Sequence, residues 1–329
     1  MPGSSRKVLV DALAAVAEKN GLEFIRLSHD WILQLVDPTS QRICSVFGYT
    51  FDLNPAAAVD ICREKAATSL VLERHSIPHI AHTVYLSPAN PSTADYVPRK
   101  GNWGEVQSLI AAWGFPVVIK PLKGTGGVDV IKASCWREVE GAVQHIFSKE
   151  YGLAISPYKQ VIDEYRCFVL DGEIELVYRK VRAHVIGDGT SPMSALAGKA
   201  LMEAAPKDAL QLASGLASMS ADELAKVPGD GEQVPVQWKH NLGQGASADL
   251  DVSDEFKKPL TELAKKASGA IGMRFCSVDI VNVEGEGLVV MEVNAGVMMD
   301  SLVTQRGEEG SKIATRIYEF AVLKCLGRV

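Results

Sequence analysis

The stretch from Phe115 to Ala133, FPVVIKPLKGTGGVDVIKA, constrains the fold more than any other part of the chain. A run of β-branched residues ends at Ile119, directly before Lys120, and a second apolar run extends from Val128 to Ile131. β-Branched residues favour strands, whereas clustered glycines interrupt them. The stretch therefore predicts two strands joined by a glycine-rich loop.

The loop between these strands has the composition of a phosphate-binding turn. It consists of Lys123, Gly124, Thr125, Gly126 and Gly127. Glycine allows successive backbone N–H groups to point toward one anion, and the neighbouring lysines add positive charge. No G-x-x-x-x-G-K-[ST] motif occurs in the chain, and a strand rather than a helix is predicted to follow, so this is not a P-loop. The alternative is a glycine-rich turn without a ligand.

A second hairpin is predicted from Ser277 to Asn294, SVDIVNVEGEGLVVMEVN. A two-residue turn at Gly285-Glu286 would have glycine in the first central position, as a type II′ turn requires. That register places Asp279 opposite Glu292, and Asn294 on the same face. Two carboxylates and an amide oxygen are hard ligands that suit Mg²⁺. The alternative is that this polar face is simply exposed to solvent.

The composition excludes several classes of protein. The chain has 329 residues, 47% of them hydrophobic and 22% charged, with a formal net charge of −6. Because 34 basic residues are scattered among 40 acidic ones, general nucleic-acid binding is not expected. No apolar run approaches the ~20 residues of a membrane span. The six cysteines are widely spaced without a C-x-x-C motif, which favours a reducing cytoplasm over disulfides or a zinc site.

The order of predicted elements indicates an α/β protein. A helix is expected from Lys7 to Asn20, followed by strands at residues 22–27, 31–36 and 42–47. Asn54 is expected to cap one continuous helix from Ala56 to His75, which carries Lys65. His75, His79 and His82 have a spacing seen in metal ligands, but Pro78 ends the helix that would align them, so surface or packing roles are favoured.

With these two hairpins in one chain, the sequence resembles the ATP-grasp superfamily of carboxylate ligases, over nearly its whole length. It is most similar to the cyanophycin-synthetase, glutathione-synthetase and ribosomal-protein glutamate-ligase types, through EYRCFVLDGE, RAHVIGDGTS, NLGQGASADL and MEVN. The resemblance implies an ATP-grasp fold of α/β class with α+β lobes. The implied divisions are a small N-terminal α/β domain at 1–84, a central ATP-binding lobe at 85–158, and a C-terminal lobe at 159–329 with a helical cover inserted at 187–229.

The resemblance also implies roles for individual residues. Lys65 and Lys120 are similar to the two lysines that contact ATP phosphates. The segment from Gly124 to Val128 is similar to the flap over the triphosphate, and Lys123 directly before it is also expected to contact the nucleotide. The hinge at the adenine base, the ribose acceptor and a further phosphate ligand correspond to Ser156, Pro157, Tyr158, Glu164 and Lys180. The groups facing the acyl intermediate correspond to Arg166, Arg182, Lys239 and Asn241. The metal ligands correspond to Asp279, Glu292 and Asn294.

The family pattern is not matched everywhere. The metal strand of the family usually continues into a Pro-Gly turn, whereas Ala295 and Gly296 follow Asn294 here. Ala183 follows Arg182 at a position where the family often has proline. Ser156 occupies a position where the family often has a Gln or Glu that contacts adenine. These departures bear on substrate and base recognition rather than on the phosphate chemistry.

The resemblance implies an ATP-dependent carboxylate–amine ligase that forms ADP and phosphate through an acylphosphate. ATP and Mg²⁺ are the expected cofactors, with two ions and possible replacement by Mn²⁺. The expected partners are an amino acid, a small carboxylate or a peptide, without nucleic acid or membrane, in a cytoplasmic homodimer. Two alternatives stay open: a nucleotide-binding regulator without ligase activity, and a ligase or phosphotransferase with a thiol or hydroxyl acceptor.

Overall fold

The protein is described by a computed structural model that covers residues 7–87, 103–124, 126–204, 209, 212–213, 215–217, 219–236, 240, 242 and 246–329. The helices are α1 (Lys7–Asn20), α2 (Ala56–Arg63), α3 (Lys65–Arg74), α4 (Trp103–Trp113), α5 (Trp136–Phe147), α6 (Met193–Glu203), α7 (Ala221–Ala225), α8 (Asp254–Ile271) and α9 (Asp300–Leu326). The strands are β1 (Glu23–Leu27), β2 (Ile32–Val36), β3 (Ile43–Phe47), β4 (Thr50–Phe51), β5 (Thr83–Leu86), β6 (Val117–Pro121), β7 (Ile131–Ala133), β8 (Gly152–Pro157), β9 (Val161–Leu170), β10 (Glu173–Val181), β11 (His184–Ile186), β12 (Gln233–Pro235), β13 (Ser247–Asp249), β14 (Phe275–Val283) and β15 (Gly287–Asn294). The mixed helix and strand content confirms the predicted α/β class.

The chain divides into two compact units. The first contains residues 1–177 and 252–329, and the second contains residues 178–251. In the second unit, the end of β10 pairs with β13, and β11 pairs with β12. An apolar cluster that includes Val185, Met193 and Val236 forms the core of this unit. No helix in the described part of the chain is both long and apolar enough to span a membrane.

The N-terminal part of the first unit is a sheet with the order β1-β2-β3-β4. Successive pairs are antiparallel, so short turns suffice to connect them. The predicted helix from Lys7 to Asn20 is confirmed with the same bounds, and the three predicted strands are confirmed to within one residue at their starts. Helix α1 packs against α9, and Lys19 forms a 2.8 Å ion pair with Glu319 there.

A second sheet, with the order β5-β8-β6-β7, carries the glycine-rich loop. Strand β6 was predicted, and it pairs with both β7 and β8. The prediction that the second strand begins at Val128 was wrong, because β7 begins at Ile131 and Val128 is 66% exposed. Residues 128–130 lie in the loop, which is therefore longer than the sequence pattern indicated.

The third sheet of the first unit has the order β10-β9-β14-β15. One face packs on α2, α3 and α8 through alternate residues of each strand, as a half-buried sheet requires. Val278 pairs with Cys167 on one side and with Val293 on the other, and all three belong to this core. The opposite face carries the polar residues described below.

The pairing of Asp279 with Glu292 is as predicted, but the predicted turn was wrong. From Val283 to Ile280, β14 pairs with β15 in a register that leaves a three-residue loop, 284–286, rather than a two-residue one. A bulge between Asp279 and Ile280 then shifts the register by one, because Met291 is the extra residue of β15. The longer loop and the bulge offset each other and restore the Asp279–Glu292 pair.

The predicted single helix from Ala56 to His75 is two helices. Glu64 has extended backbone angles (φ −115°, ψ 115°), so α2 ends at Arg63 and α3 begins at Lys65. The Lys65 N–H donates to the Leu122 carbonyl at 3.4 Å, outside its own helix. This tertiary contact replaces a helical hydrogen bond and brings the start of α3 to the end of β6.

The prediction that Asn54 caps the helix was wrong, because Pro55 is the residue before α2 and no side-chain hydrogen bond caps that helix. The buried carboxamide of Asn54 instead forms hydrogen bonds with the backbone where β14 begins. Its oxygen accepts from the N–H groups of Arg274 and Phe275 at 2.9 and 2.8 Å, and its NH₂ donates to the Phe275 carbonyl at 2.7 Å. Asn54 thus joins the end of the N-terminal sheet to the central strand of the third sheet.

We expect Asn54→Leu to destabilise the protein by about 3 kcal/mol, because it leaves buried backbone groups of Arg274 and Phe275 without hydrogen bonds. The urea midpoint of unfolding measures this loss. Asn282→Ala, at a half-buried position of the same strand, is the matched control and should cost less than about 1 kcal/mol. Equal midpoints for the two variants would contradict the role given to Asn54.

Candidate nucleotide and metal site

The polar face of the third sheet carries one row of charged residues across three strands. Arg166 of β9 pairs with Asp279 of β14, which pairs with Glu292 of β15. Directly paired residues on antiparallel strands point to the same face, so all three side chains lie on one side of the sheet. The neighbouring rows add Asn294, which is opposite Ser277, and Glu164, which is opposite Val281.

Asp279 is the most buried charged group in this row, with 2% of its surface exposed. Arg166 holds it by two parallel hydrogen bonds, from Nε to Oδ1 at 2.7 Å and from Nη2 to Oδ2 at 2.6 Å. The amide of Asn294 lies 3.5 Å from Oδ2. A buried carboxylate requires such compensation, and the fork of a guanidinium matches both of its oxygens.

Lys65 connects the glycine-rich loop with the hairpin of β14 and β15. Its Nζ donates to the carbonyl of Gly124 at 3.1 Å and lies 3.7 Å from Oε1 of Glu292. Its side chain is only 11% exposed, so water weakens this ion pair less than at the surface. The break at Glu64 makes this placement possible, because Lys65 is the first residue of α3.

Lys120 lies in β6, opposite Ala154 of β8. Burial lowers the pKa of Lys120 to about 8; the negative charge of Glu292 opposes this lowering, Lys65 adds to it, and Glu164 opposes it. These electrostatic partners mean that two lysines and two glutamates, from β6, α3, β9 and β15, share one site.

The glycine-rich loop has the backbone that its composition predicts. Gly126 and Gly127 have φ values of +73° and +70°, which residues with a Cβ rarely adopt. On the far side of the loop, Asp129 accepts from His145 at 2.8 Å and Lys149 at 3.0 Å, and these bonds lower the pKa of its carboxyl group. The loop is thus held by Lys65 at one end and by an ionic cluster at the other.

The predicted hinge, residues 156–158, lies at the end of β8, between the second sheet and β9. Ser156 is buried and lies opposite Val118, while Pro157 lies opposite Val117. The Tyr158 N–H donates to the Pro116 carbonyl at 3.1 Å, and Lys132 lies over the Tyr158 ring at 4.1 Å. Lys123, in the loop, lies 5.9 Å from the centre of the Tyr151 ring.

His82 is a residue of this site that the sequence did not reveal. Burial lowers the pKa of His82 well below its usual value, and Lys120 adds to the effect, so the imidazole is neutral. It bonds the backbone of Ile80, while its Nε2 atom has no hydrogen-bond partner among the described residues. The ring lines a small pocket whose polar walls include Lys65, Thr68, Ser69, His79 and Glu292. A donor that enters this pocket meets an imidazole acceptor.

His79 and Ser69 fix the shape of this pocket. The Ser69 hydroxyl lies 3.0 Å from Nε2 of His79 and accepts the backbone N–H of His82 at 3.0 Å. The other ring nitrogen of His79 lies 2.8 Å from the Ile77 carbonyl. Pro78 does prevent a helical alignment of the histidines, and only the fold brings His82 to the lysines.

Two of the predicted site residues lie in the other unit of the chain, and three lie outside the described residues. Lys180 and Arg182 belong to the second unit, where Lys180 is buried and lies opposite Ala248. The Arg182 carbonyl lies 3.2 Å from Nδ1 of His184. Thr125, Lys239 and Asn241 lie outside the described residues.

The donor groups at this site fit Mg²⁺. Asp279, Glu292 and Asn294 offer hard oxygen ligands on one face of a hairpin, and Mg²⁺ prefers oxygen. Each carboxylate oxygen has about two lone pairs, and Arg166 bonds one on each oxygen of Asp279. The same carboxylate can therefore bond Arg166 and contact a cation.

Removal of the Arg166 charge tests whether the Asp279 carboxylate can contact a cation. We expect Arg166→Met to destabilise the protein by about 3 to 5 kcal/mol, since it leaves Asp279 buried without compensation. Added Mg²⁺ should raise the thermal midpoint of this variant more than that of the wild type, because a cation restores the balance.

Two further variants control this experiment. Arg274→Met removes a similar two-bond contact with Asp171 at a more exposed position, and it should cost about 1 kcal/mol or less. In Arg166→Met/Asp279→Asn the extra response to Mg²⁺ should disappear. A response that persists in the double variant would show that Asp279 is not the carboxylate involved.

Comparisons with known proteins place this site in context. Cyanophycin synthetase of Nostoc sp. is 27% identical over 305 residues, which cover 87% of this chain and 32% of that protein. The glutathione biosynthesis bifunctional protein GshAB of Lactiplantibacillus plantarum is 25% identical over 248 residues, which cover 72% of this chain and 31% of that protein. No family model matches the chain.

Among solved structures, the crystal structure of a bifunctional glutathione synthetase from Pasteurella multocida superposes with a TM-score of 0.52 at 19% identity. The match covers 94% of this chain and 44% of that one, and it shows a shared fold. The chain spans about a third of the length of the two curated relatives described above.

Proposed function

The chain has the ATP-grasp fold, and we propose that it acts as an ATP-dependent carboxylate–amine ligase, which forms ADP and phosphate. Its substrates would be an amino acid or other small carboxylate and an amine such as an amino acid or a peptide. The likeness to cyanophycin synthetase and GshAB supports this reaction class. We further propose that the enzyme is a cytoplasmic homodimer, with its lobes at residues 85–158 and 159–329.

One observation carries the proposal. The row formed by Arg166, Asp279 and Glu292 is linked through Lys65 to the glycine-rich loop. A phosphoryl-transfer site needs cations around the phosphates and oxygen ligands for a metal ion. Both kinds of group meet here within one unit of the protein.

In the proposed reaction, an oxygen of the substrate carboxylate attacks the γ-phosphorus of ATP, the bond to the β-phosphate oxygen breaks, and ADP leaves. The amine then attacks the acylphosphate carbon, phosphate leaves, and the amine loses a proton. Bound Mg²⁺, held by Asp279, Glu292 and Asn294, would offset the charge of the phosphate oxygens.

The side chains of the protein would position and neutralise the reactants. Lys65 and Lys120 would contact the phosphates, with backbone N–H groups from Gly124 to Val128 above them. Arg166, Arg182, Lys239 and Asn241 would contact the acyl group, where a well-placed donor contributes about 3 kcal/mol. Ser156, Pro157, Tyr158, Glu164 and Lys180 would hold the nucleoside and its phosphates.

One prediction from the proposed function concerns the reaction itself. With Mg²⁺-ATP and a panel of amino acids and short peptides, singly and in pairs, we expect ADP release only with particular pairs, together with a product of the summed mass minus water. Glu292→Gln should lower the rate by at least about 100-fold, because it removes one charge from the metal site.

Glu286→Gln is the matched control, since Glu286 lies in the turn of the same hairpin and pairs with Lys159 at the surface. Its rate should equal that of the wild type. Tight ATP binding without ADP from any pair would contradict the ligase and favour a nucleotide-binding regulator. ADP with a thiol or hydroxyl acceptor, or a phosphorylated product, would support the other alternative.

A second prediction follows from the lowered pKa of Lys120. The folded pKa of about 8 means that the ammonium is charged below pH 8 and neutral above it. The affinity for Mg²⁺-ATP should therefore fall as the pH rises through 8, by at most about tenfold per pH unit for one linked proton. In Lys120→Arg the charge persists, and this step should vanish from calorimetric titrations. A step of equal size in that variant would assign the proton to another group.

A further inference from the structure

A second group of ligating side chains lies in the first unit at the junction of the N-terminal sheet and the last helix. It consists of Cys44 in β3, Asp52 after β4, and Cys325 near the end of α9. Their sulfur and carboxylate oxygen atoms all lie within 4.8 Å of one another. Cys44 and Cys325 are 281 positions apart in the sequence, so their spacing gave no sign of a shared site.

Hydrogen bonds already link the three side chains in series, with Cys325 between Cys44 and Asp52. The Cys325 thiol donates to Oδ1 of Asp52 at 2.5 Å. Cys44 is hydrogen-bonded to Cys325, and this bond, together with burial, strongly raises the pKa of the Cys44 thiol. The Cys44 thiol is therefore protonated, and the Cys325 thiol directs its proton at Asp52.

We propose that these three residues bind one thiophilic divalent cation, of which Zn²⁺ is the natural example. Binding replaces the two thiol protons by the ion: Zn²⁺ and two thiols give a zinc dithiolate and two released protons. Before binding, the group carries one negative charge, on Asp52. Afterwards two thiolates, one carboxylate and one divalent ion again sum to one negative charge, so the surroundings need no new compensation.

The geometry suits such an ion. Zn–S bonds of about 2.3 Å in a tetrahedral site place two sulfurs about 3.8 Å apart. This distance is compatible with the ligand atoms of the cluster, which lie within 4.8 Å of one another. The contact between Cys325 and Asp52 would open slightly as its proton leaves. Cys44 is fully buried, Cys325 is half-buried and Asp52 is exposed, which leaves the fourth position open to water.

The surroundings also hold the ligands in place. The backbone N–H of Ser45 donates to Oδ2 of Asp52 at 3.0 Å, which leaves Oδ1 directed at the sulfurs. Such a bond to the second atom of a ligand is a common feature of zinc sites. Nearby, Arg42 donates to the Leu326 carbonyl at 3.1 Å, and Arg328 pairs with Asp37. The ion would add a link to this existing contact between the N-terminal sheet and the end of α9.

The test uses the reduced full chain, freed of metal by a chelator, with Mg²⁺ in excess to saturate oxygen-ligand sites. We expect one equivalent of Co²⁺ to produce the charge-transfer absorption of cobalt–thiolate bonds, and one equivalent of Zn²⁺ to abolish it. Cys325→Ser should lose most of this absorption. Its Zn²⁺ affinity should fall by more than about 100-fold, beyond the range for loss of an outer partner alone.

Two other variants complete the test. Asp52→Asn keeps both thiols and the size of the side chain, so it tests the site even if Cys325→Ser folds poorly, and it should also weaken binding. Cys135→Ser changes an exposed cysteine at the start of α5 and should bind as the wild type does.

Three results would overturn the proposal. These are no absorption with the wild type, equal affinity in Cys325→Ser, and absence of metal binding combined with a Cys44–Cys325 disulfide after treatment with oxidised glutathione. The last result would assign the pair to thiol oxidation rather than to metal binding.

Discussion

The candidate nucleotide and metal site depends on the compensation of one buried carboxylate. Asp279 lies in β14, the strand between β9 and β15, and is 2% exposed. An isolated charge at that depth is unfavourable by several kcal/mol, so its two bonds to Arg166 are a condition of the fold as well as part of the site. Cys167, Val278 and Val293 are the sequence neighbours of the charged row, point to the other face of the sheet and are buried in the core. The strands therefore cannot slip by one residue without burying charge in that core. The hydrophobic core thereby fixes which side chains share the polar face.

A broken helix brings the other half of the site to this face. Continuous helical geometry through Glu64 would satisfy the Lys65 N–H within the helix, whereas here that group bonds the Leu122 carbonyl at the end of β6. The same residue then uses its side chain to reach Gly124 and Glu292. One local departure from helical propensity thus joins the glycine-rich loop to the hairpin of β14 and β15. It has no sequence signal, because the residues around Glu64 are ordinary helix formers and the cause is a contact with a distant strand.

The sequence predicted those features that depend on local periodicity. The alternation of apolar and polar residues along β14 and β15 was enough to identify the hairpin, and the clustered glycines were enough to identify the loop. The turn was predicted wrongly, since a three-residue loop and a bulge at Met291 give the same pair as the simpler two-residue turn. The bond between Arg166 and Asp279 and the neutral imidazole of His82 could not be predicted, because β9 and the segment around His82 reach the site only through tertiary packing. The cluster of Cys44 and Cys325 was missed for the same reason.

The charge balance of the site bears on how many metal ions we propose for a bound nucleotide. Among the described residues of the first unit, the buried cluster has three carboxylates, Glu164, Asp279 and Glu292, and three cations, Lys65, Lys120 and Arg166. A set that is already neutral has little excess charge with which to attract a triphosphate that carries about four negative charges. One Mg²⁺ leaves about half of that charge uncompensated, whereas two neutralise it. The proposal of two ions is consistent with these charges, because a neutral site of low dielectric constant accepts a neutral complex at the smallest desolvation cost. Burial, together with the charge of Lys65, also lowers the pKa of Lys120, so the same low dielectric constant disfavours an ammonium group without compensation.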